Sequence, residues 1–364
     1  MKTLSKVKVE GFKSIESAEL ELGDLNVVIG ANGSGKSNLI GVFRLLERVL
    51  TRNLQLYVAG EPDRLLFHGR KKTPAMSLSF EGAPKNNHCS YDIKLAAVQD
   101  TLVFEQERAS NGPNEQEPAK MTAEMADAAG SKESILLGGD WSVALVDSFF
   151  PGLRQLIVYH FHDMSDTSPA KQMADVDDND FFRSNAANLP AYLYWLQEKH
   201  PLEFRHIEEH IRLVAPFFDR FVLAPSRLNE RKIKLEWRQK GSDAYFDAWS
   251  LSDGTLRFIC LAVLLLQPAP PALILLDEPE LGLHPFAIRI IAEMLQAASE
   301  RVQVLLATQS VTLLNHFAPQ DVIVAENDGL KTTFNRLDEK KLKDWLNDFS
   351  LGELWEKNVL GGRP

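Results

Sequence analysis

The clearest chemistry in this chain belongs to an eight-residue run, Gly30-Ala31-Asn32-Gly33-Ser34-Gly35-Lys36-Ser37, which fits the pattern G-x-x-x-x-G-K-[ST]. Glycines let a loop wrap around a phosphate, so that backbone N–H groups and the N-terminus of the following helix point at the anion. Within the pattern, Lys36 reaches the β- and γ-phosphates and Ser37 binds Mg²⁺, with Asn38 beside them. The apolar strand Leu25–Ile29 and the helical spacing of 38–46 supply the strand–loop–helix context that the motif requires. The run therefore predicts a site for a nucleoside triphosphate and Mg²⁺, with a plain glycine-rich turn as the alternative.

A second chemical element lies downstream, where the apolar run 272–276 ends in Asp277 and Glu278. A strand without polar residues suits the middle of a sheet that is covered on both faces, and α/β sheets bind ligands at the carboxyl ends of their strands. We expect Asp277 to hold Mg²⁺ through its water shell and Glu278 to polarise the water that attacks the γ-phosphate. A core strand followed by an ordinary turn is the alternative interpretation.

A third element stands between these two, where Leu251-Ser252-Asp253-Gly254 precedes an apolar helical run. Serine and glycine at a helix N-terminus form a second place for an anion. Because one subunit already has its own phosphate loop, we expect Ser252, Asp253 and Gly254 to contact the γ-phosphate of the nucleotide that is bound to another subunit.

Together, these elements resemble the ATPase heads of the ABC type, in which 251–254 is the signature motif. The start Glu10-Gly11-Phe12-Lys13-Ser14-Ile15 and the run 277–285 narrow the resemblance to RecF/SMC-like heads, closest to predicted AAA-family ATPases related to the OLD (overcoming lysogenisation defect) group. The resemblance covers the N-terminal part of the chain and the stretch from about Phe221 onward. It implies an α/β fold of the P-loop NTPase, ABC-ATPase type: a mixed sheet with flanking helices, an N-terminal antiparallel sheet and a small helical insertion.

Two positions depart from the pattern of that family. After the apolar run 302–306, relatives commonly carry Thr-His-Ser, whose histidine senses the γ-phosphate, whereas this chain has Gln309 at that place. A glutamine donates a hydrogen bond but carries no charge, so we expect catalysis by Glu278, Lys36 and Gln309 to be slow. The glutamine of the Q-loop is not evident in the sequence, and Gln155 is a candidate for it.

Length and composition agree with a globular head that carries an insertion. The chain has 364 residues, 45% hydrophobic and 25% charged, and no apolar run approaches the roughly 20 residues that span a bilayer. We divide it into the N-terminal half of the head (1–105), an insertion with a helical lobe (106–220), the C-terminal half of the head (221–330) and a tail (331–364). Within these segments, 106–133 predicts a mobile loop or short weak helix, 188–196 and 204–214 predict helices, and 361–364 predicts a disordered end.

Charge and cysteine content limit the classes of partner and indicate the cellular compartment. The net charge of −10 argues against indiscriminate coating of nucleic acid, but the alternating stretch 231–240 places Lys232, Lys234 and Arg238 on one face of a predicted strand. A solvated strand face and a phosphate contact are both open interpretations of that stretch. Cys89 and Cys260 are far apart in the sequence and indicate reduced thiols. Together with a start that predicts no signal peptide, they indicate a cytoplasmic protein without a membrane partner.

The function that the resemblance implies is an ATPase that closes as a homodimer, or a larger homo-oligomer, on two ATP molecules. OLD nucleases carry a Toprim nuclease domain after the ATPase, and 331–364 is too short for one. We therefore expect a separate effector subunit, a nuclease acting on DNA in anti-phage defence. A RecF-like DNA repair ATPase and a slow or non-hydrolysing ATP-dependent scaffold are the alternatives, whereas the start and the insertion disfavour a transporter's nucleotide-binding domain.

Overall fold

The computed structural model describes residues 4–82, 88–112, 121–124, 129–136 and 156–363. The strands are β1 Lys6–Phe12, β2 Ile15–Glu21, β3 Leu25–Ile29, β4 Ala75–Gly82, β5 His88–Val98, β6 Thr101–Gly112, β7 Met121–Glu124, β8 Ile157–Tyr159, β9 Ala174–Asp175, β10 Phe218–Val222, β11 Pro225–Ser226, β12 Asn229–Ile233, β13 Glu236–Gln239, β14 Tyr245–Asp247, β15 Leu273–Asp277, β16 Gln303–Ala307, β17 Val322–Asn327 and β18 Thr332–Arg336. The α-helices are α1 Lys36–Leu50, α2 Leu54–Val58, α3 Leu189–Lys199, α4 Pro201–Val214, α5 Asp253–Leu266, α6 Pro285–Ser299, α7 Val311–Leu314, α8 Glu339–Leu342 and α9 Leu351–Glu356. Among the described residues, no helix combines the length and apolar character that a membrane span requires.

The chain divides into two compact units. The first unit contains Met1–Val158, Pro271–Leu275 and Ser299–Pro364, and the second contains Tyr159–Pro270 and Leu276–Ala298. The predicted insertion at 106–220 is therefore divided between the units after residue 158.

Two six-stranded sheets form the framework of the first unit. One has the order β2-β1-β4-β5-β6-β7, and its neighbouring strands are all antiparallel. The other has the order β18-β17-β3-β16-β15-β8, with β3 parallel to both β16 and β17 and with β18 antiparallel to β17. Only the last residues of β15 and β8 belong to the second unit. A mixed sheet and an N-terminal antiparallel sheet are thus both present, as the resemblance implied.

Helix α1 connects the phosphate loop to the apolar core of the first unit. Its apolar residues recur at helical spacing, so that one broad face, including Leu39 and Phe43, is fully buried. The same core contains Val7 of β1, Val28 of β3 and Phe80 of β4. The ring centroids of Phe43 and Phe80 lie 6.2 Å apart, so the two rings connect the helix to the antiparallel sheet. The helix start is therefore anchored by packing that extends along its length.

The second unit contains α3 to α6 and two small sheets, with the orders β10-β13-β14 and β11-β12-β9. Helices α3 and α4 confirm the two helices predicted at 188–196 and 204–214. Helix α5 is buried at every position from Leu256 to Leu265, which agrees with the apolar run that follows the signature motif.

The prediction of a mobile loop or short weak helix at 106–133 is wrong where the structure describes these residues. Strand β6 continues to Gly112 in register with β5, and β7 pairs with it. Farther on, the Glu133 carboxylate accepts hydrogen bonds from the N–H groups of Leu54 and Gln55, both at 3.1 Å. These partners lie more than seventy residues away in sequence, so the polar composition of the stretch did not reveal them. Residues 113–120 and 125–128 lie outside the described residues.

The disorder predicted at 361–364 is also wrong for Gly361 and Gly362, while Pro364 lies outside the described residues. Ser350 forms a capping box at the start of α9, which places the buried Trp355 against this segment. The Trp355 Nε1–H donates to the Gly362 carbonyl at 2.6 Å, and the Gly362 N–H donates to the Glu326 carboxylate at 2.9 Å. Two hydrogen bonds thus fix a glycine pair whose composition alone suggested flexibility.

Candidate nucleotide site

The phosphate loop joins β3 to α1 and holds its own lysine. Gly35, at a φ of 102°, is the N-cap residue of α1, and the helix begins at Lys36. The Lys36 side chain is only 4% exposed, and its ammonium donates to the carbonyls of Gly30 at 2.7 Å and Ala31 at 2.9 Å. The charge expected to meet phosphate therefore lies at the loop itself, whereas Ser37, the expected Mg²⁺ ligand, is exposed.

Packing explains two of the loop glycines and leaves space at the third. A Cβ at Gly30 would overlap the Ala325 carbonyl, and one at Gly35 would overlap the Thr332 side chain. Gly33 has a φ of 77° and no atom within 4 Å of such a Cβ, so its face of the loop is open. The buried Ser34 hydroxyl has no hydrogen-bond partner among the described residues. An open glycine face and an orphaned hydroxyl donor fit a phosphate-bearing ligand.

Two residues outside the motif hold this loop in place. The fully buried Thr332 of β18 donates through its hydroxyl to the Ser34 carbonyl at 3.0 Å, and its Oγ1 lies 2.7 Å from the Ser14 hydroxyl. The Asn38 side-chain amide in turn donates to the Ser14 hydroxyl at 2.7 Å. Sequence reasoning missed Thr332 and assigned it to the tail. Ser14 and Thr332 are 318 residues apart, and no local pattern relates residues at that separation.

Gln309 follows the strand next to the phosphate-loop strand. β16 runs parallel to β3, and the Thr308 N–H after it donates to the Val28 carbonyl at 2.9 Å. Ser310 then caps α7 by accepting from the Leu313 N–H at 3.0 Å. The half-buried Gln309 is held between these two anchored residues. Both the loop after β3 and Gln309 thus stand at the carboxyl ends of adjacent parallel strands, where α/β sheets bind ligands.

In the second unit, β15 ends at Asp277, and Glu278 follows it on a strained backbone. Glu278 has a φ of 45°, in the left-handed region that side chains other than glycine rarely adopt. The His162 Nε2 lies 2.7 Å from the Asp277 carbonyl oxygen, and both acidic residues line a small recess with Tyr159 and Phe161. The proposed Q-loop residue Gln155 lies outside the described residues.

The signature motif forms the exposed beginning of α5. Ser252 is the N-cap residue, and its hydroxyl accepts a hydrogen bond from the Thr255 N–H at 3.2 Å. The first N–H groups of a helix have no partner within the helix, so those of Asp253 and Gly254 face the N-terminal end. A Cβ at Gly254 would lie 2.6 Å from the Gly282 carbonyl oxygen. Close packing therefore requires glycine here, in addition to any contact with phosphate.

Arg257 is a residue of this region for which the sequence predicted no role. Its side chain is 5% exposed, and burial lowers the pKa of its guanidinium. Nε donates to the Phe161 carbonyl at 2.7 Å, Nη2 to the His162 carbonyl at 2.9 Å, and Nη1 to the Leu281 carbonyl. The available signal was a single arginine inside an otherwise apolar helical run. It ties the signature helix to the segments before and after it in the second unit.

The basic stretch 231–240 is two strands in two sheets, not one strand. Its apolar members are buried as predicted: Ile233, Leu235 and Trp237. The three basic side chains that the alternation placed on one face each have an acidic partner: Lys232 and Asp175 at 3.0 Å, Lys234 and Glu236 at 2.7 Å, and Arg238 and Asp243 at 2.7 Å. These pairs favour the interpretation as a solvated strand face over a phosphate contact.

Comparison with known proteins agrees with this geometry. Residues 139–315 match a family model described as "AAA domain, putative AbiEii toxin, Type IV TA system", and residues 1–123 match one described as "AAA ATPase domain". No curated protein matches the chain. A solved Smc head bound to the C-winged helix domain of ScpA is 15% identical, with a TM-score of 0.61, and the match covers 94% of this chain and 99% of that one. A Pyrococcus furiosus Smc head bound to the C-terminal domain of ScpA is also 15% identical, with a TM-score of 0.55 and coverage of 95% and 98%.

The likeness to these heads confirms the predicted fold class, a P-loop NTPase fold of the ABC-ATPase type. The two ATPase family models support an ATP-dependent protein with the same kind of head. The relationship to the OLD group and the individual roles of the site residues stay predictions.

Proposed function

We propose that this chain binds and hydrolyses ATP with Mg²⁺, and that two copies associate when the signature of each meets the ATP bound by the other. The carrying observation is the contrast within α5: Ser252 and Asp253 are exposed, whereas every residue from Leu256 to Leu265 is buried. A helix that is buried along most of its length thus exposes its anion-attracting N-terminus to solvent. A second nucleotide-bearing copy is the partner whose chemistry fits that end.

Each predicted residue then has a separate task. Lys36 and the loop amides stabilise charge on the phosphates, and Glu278 orients the attacking water. Ser37 and Asp277 hold Mg²⁺, which supplies further charge stabilisation when bound. Phosphate oxygens and water would complete the Mg²⁺ shell, because Mg²⁺ usually keeps several waters and binds through one or two protein ligands together with substrate phosphates. Gln309 hydrogen-bonds without charge, which makes turnover slow.

Binding of ATP, more than its hydrolysis, drives association in this proposal. ATP adds contacts that only the associated state makes, so it shifts the population toward that state, and hydrolysis reverses the shift. Association can therefore act as a signal of bound ATP, because ATP favours the associated state over the separate copies.

The associated state would control a separate effector, which we propose is a nuclease that acts on DNA in anti-phage defence. The similar Smc heads were solved with a ScpA domain bound, and one matching family model is described as a putative toxin of a Type IV TA system. Both support a head that works with a partner. Lys232, Lys234 and Arg238 of the stretch 231–240 are each paired with an acidic side chain, so we assign DNA contact to the effector.

The experiment is the molar mass of the Glu278→Gln protein by light scattering, with and without ATP and Mg²⁺. We expect the mass to double from 40.9 kDa with ATP, while the wild type hydrolyses ATP and Lys36→Ala does neither. Matched controls are Ser252→Asn and Ser252→Asp in the Glu278→Gln background, because both replacements preserve the helix cap. Only the aspartate adds a negative charge, so Ser252→Asp should abolish association, whereas Ser252→Asn should weaken it less.

A monomer that ignores ATP would contradict the association mechanism. A permanent dimer or larger assembly with no measurable turnover would instead favour the ATP-dependent scaffold. Stimulation of the wild-type ATPase by DNA junctions, in a preparation that contains no effector, would favour a RecF-like repair ATPase.

A further inference from the structure

Lys171 is a buried cation beside the signature motif. It ends the short 3₁₀ turn Pro169–Lys171, and its side chain is 4% exposed although lysine is among the residues least often buried. Its Nζ lies 3.4 Å from Asp253 Oδ1 and 3.7 Å from Asp166 Oδ1. Those carboxylates are 65% and 91% exposed. The positive partner of this cluster is thus enclosed, while the negative partners face solvent.

Hydrogen bonds on both sides fix the turn that carries Lys171. The fully buried Ser168 donates through its hydroxyl to the Asp163 carbonyl at 2.7 Å and accepts from the Ala170 N–H at 3.3 Å. The Trp249 indole donates to the Asp166 carbonyl at 3.2 Å, which connects this loop to the residues just before the signature. Lys171 is therefore held next to the first turn of α5 by the backbone that surrounds it.

Because of the position of Asp253, phosphate binding at the start of α5 requires the Lys171 ammonium. Asp253 is the first residue of α5, so its carboxylate stands at the same helix end that would receive the γ-phosphate of the second copy's ATP. A carboxylate at this place repels phosphate and competes with it for the helix N-terminus. Lys171 is the ammonium group within ion-pair distance of both carboxylates, and it reduces their combined charge from two negative units to one.

We propose that Lys171 is a positioning residue of the signature motif: it holds the Asp253 carboxylate aside and compensates its charge, so that the start of α5 accepts phosphate from a second copy. This inference rests on the proposed function. It assigns Lys171 no contact with the reacting atoms, because its ammonium acts through Asp253.

The test measures ATP-dependent association in the Glu278→Gln background by analytical ultracentrifugation, with fluorescent ATP binding to each copy measured in parallel. Lys171→Met should weaken association at least about tenfold, whereas Lys171→Arg should retain most of it. Adding Asp253→Asn to Lys171→Met should restore association to within about threefold, because asparagine removes the repelling charge and keeps the backbone N–H of residue 253 that is expected to contact phosphate. ATP affinity of the single copy should stay unchanged, because residue 171 belongs neither to the phosphate loop nor to the residues proposed to hold Mg²⁺ or to orient the water.

A purely structural role gives a different result. In that case Lys171→Met would lower thermal stability, and Asp253→Asn would not rescue association. Equal association by Lys171→Met and its parent, or failure of the rescue, would overturn the role of Lys171 while leaving the proposed function intact. If two copies of the Glu278→Gln protein do not associate in the presence of ATP, both the proposed function and the role of Lys171 are overturned.

Discussion

Replacing Thr332 with valine tests whether a residue far from the motif holds the phosphate loop. Valine matches the shape of threonine but has no hydroxyl, so the change removes the hydrogen bond to the Ser34 carbonyl and the contact with Ser14. It also removes the acceptor of the Asn327 side-chain amide, which lies 3.3 Å from the Thr332 Oγ1. The site is fully buried, and water cannot readily replace the lost donor. We therefore expect Thr332→Val to affect both the folded state and the order of the loop.

The magnitude follows from these contacts. One hydrogen bond contributes about 0.5–1.5 kcal/mol, and a buried carbonyl left without a donor costs about 1–3 kcal/mol. We expect the free energy of unfolding to fall by about 2–3 kcal/mol for the lost contacts, to which the long one with Asn327 adds least. If about 1 kcal/mol of that must be spent to reorder the loop around phosphate, the Kd for ATP rises about fivefold.

Urea denaturation and fluorescent ATP titration provide the two measurements, and Thr332→Ser is the matched control. Serine keeps the hydroxyl and loses one methyl group, so it should lower the free energy of unfolding by about 1 kcal/mol and leave the Kd within twofold. An unchanged Kd for Thr332→Val would refute the reasoning. So would equal weakening of ATP binding by the serine variant, because that result would assign the effect to packing.

Further predictions concern Gly254 and Glu278 of the second unit and Cys89 of the first. Gly254→Ala should lower the free energy of unfolding by about 1–3 kcal/mol in urea denaturation, because its Cβ would lie 2.6 Å from the Gly282 carbonyl oxygen; full stability would contradict that packing. Glu278→Gly should unfold at a free energy about 1 kcal/mol higher than Glu278→Ala, since glycine accepts the positive φ at residue 278 more readily, and the reverse order would contradict the strain. Burial raises the pKa of the Cys89 thiol to about 11, so a thiol reagent at pH 8 should label the protein only as fast as it opens. Because this folded-state pKa lies above the unfolded one, the neutral thiol's contribution to stability is complete below about pH 9 and declines toward pH 11, which urea denaturation across that range would show.

Local pattern predicted the elements that carry the motifs. An apolar run before the glycine-rich loop and helical spacing after it correctly indicated β3 and α1, since both depend on which neighbouring residues are apolar. The buried helix after the signature followed from the same kind of evidence. These elements need little tertiary information, because each has one clear apolar face or is apolar throughout.

Partners distant in sequence account for what the pattern missed. The alternation in 231–240 correctly separated buried from exposed side chains, but it could not show that β12 pairs with β9 and β13 with β10. A period of two determines the faces of a strand and leaves its neighbours undetermined. The same limit hid Thr332, whose importance comes from packing against Gly35 and hydrogen bonding to Ser34, both about three hundred residues earlier.

The strain at Glu278 connects the backbone of this region to its predicted chemistry. A residue in the left-handed region costs of order 1–2 kcal/mol and persists only where neighbouring structure maintains it. Here the Leu281 N–H donates to the Glu278 carbonyl at 3.2 Å, and Arg257 donates to the Leu281 carbonyl, so the turn after Glu278 is fixed from both sides. A carboxylate that must orient one water molecule gains from such restraint, because misdirection weakens catalysis. The glycine and alanine variants both lack the carboxylate, so their difference in stability isolates the cost of the backbone from the loss of hydrolysis.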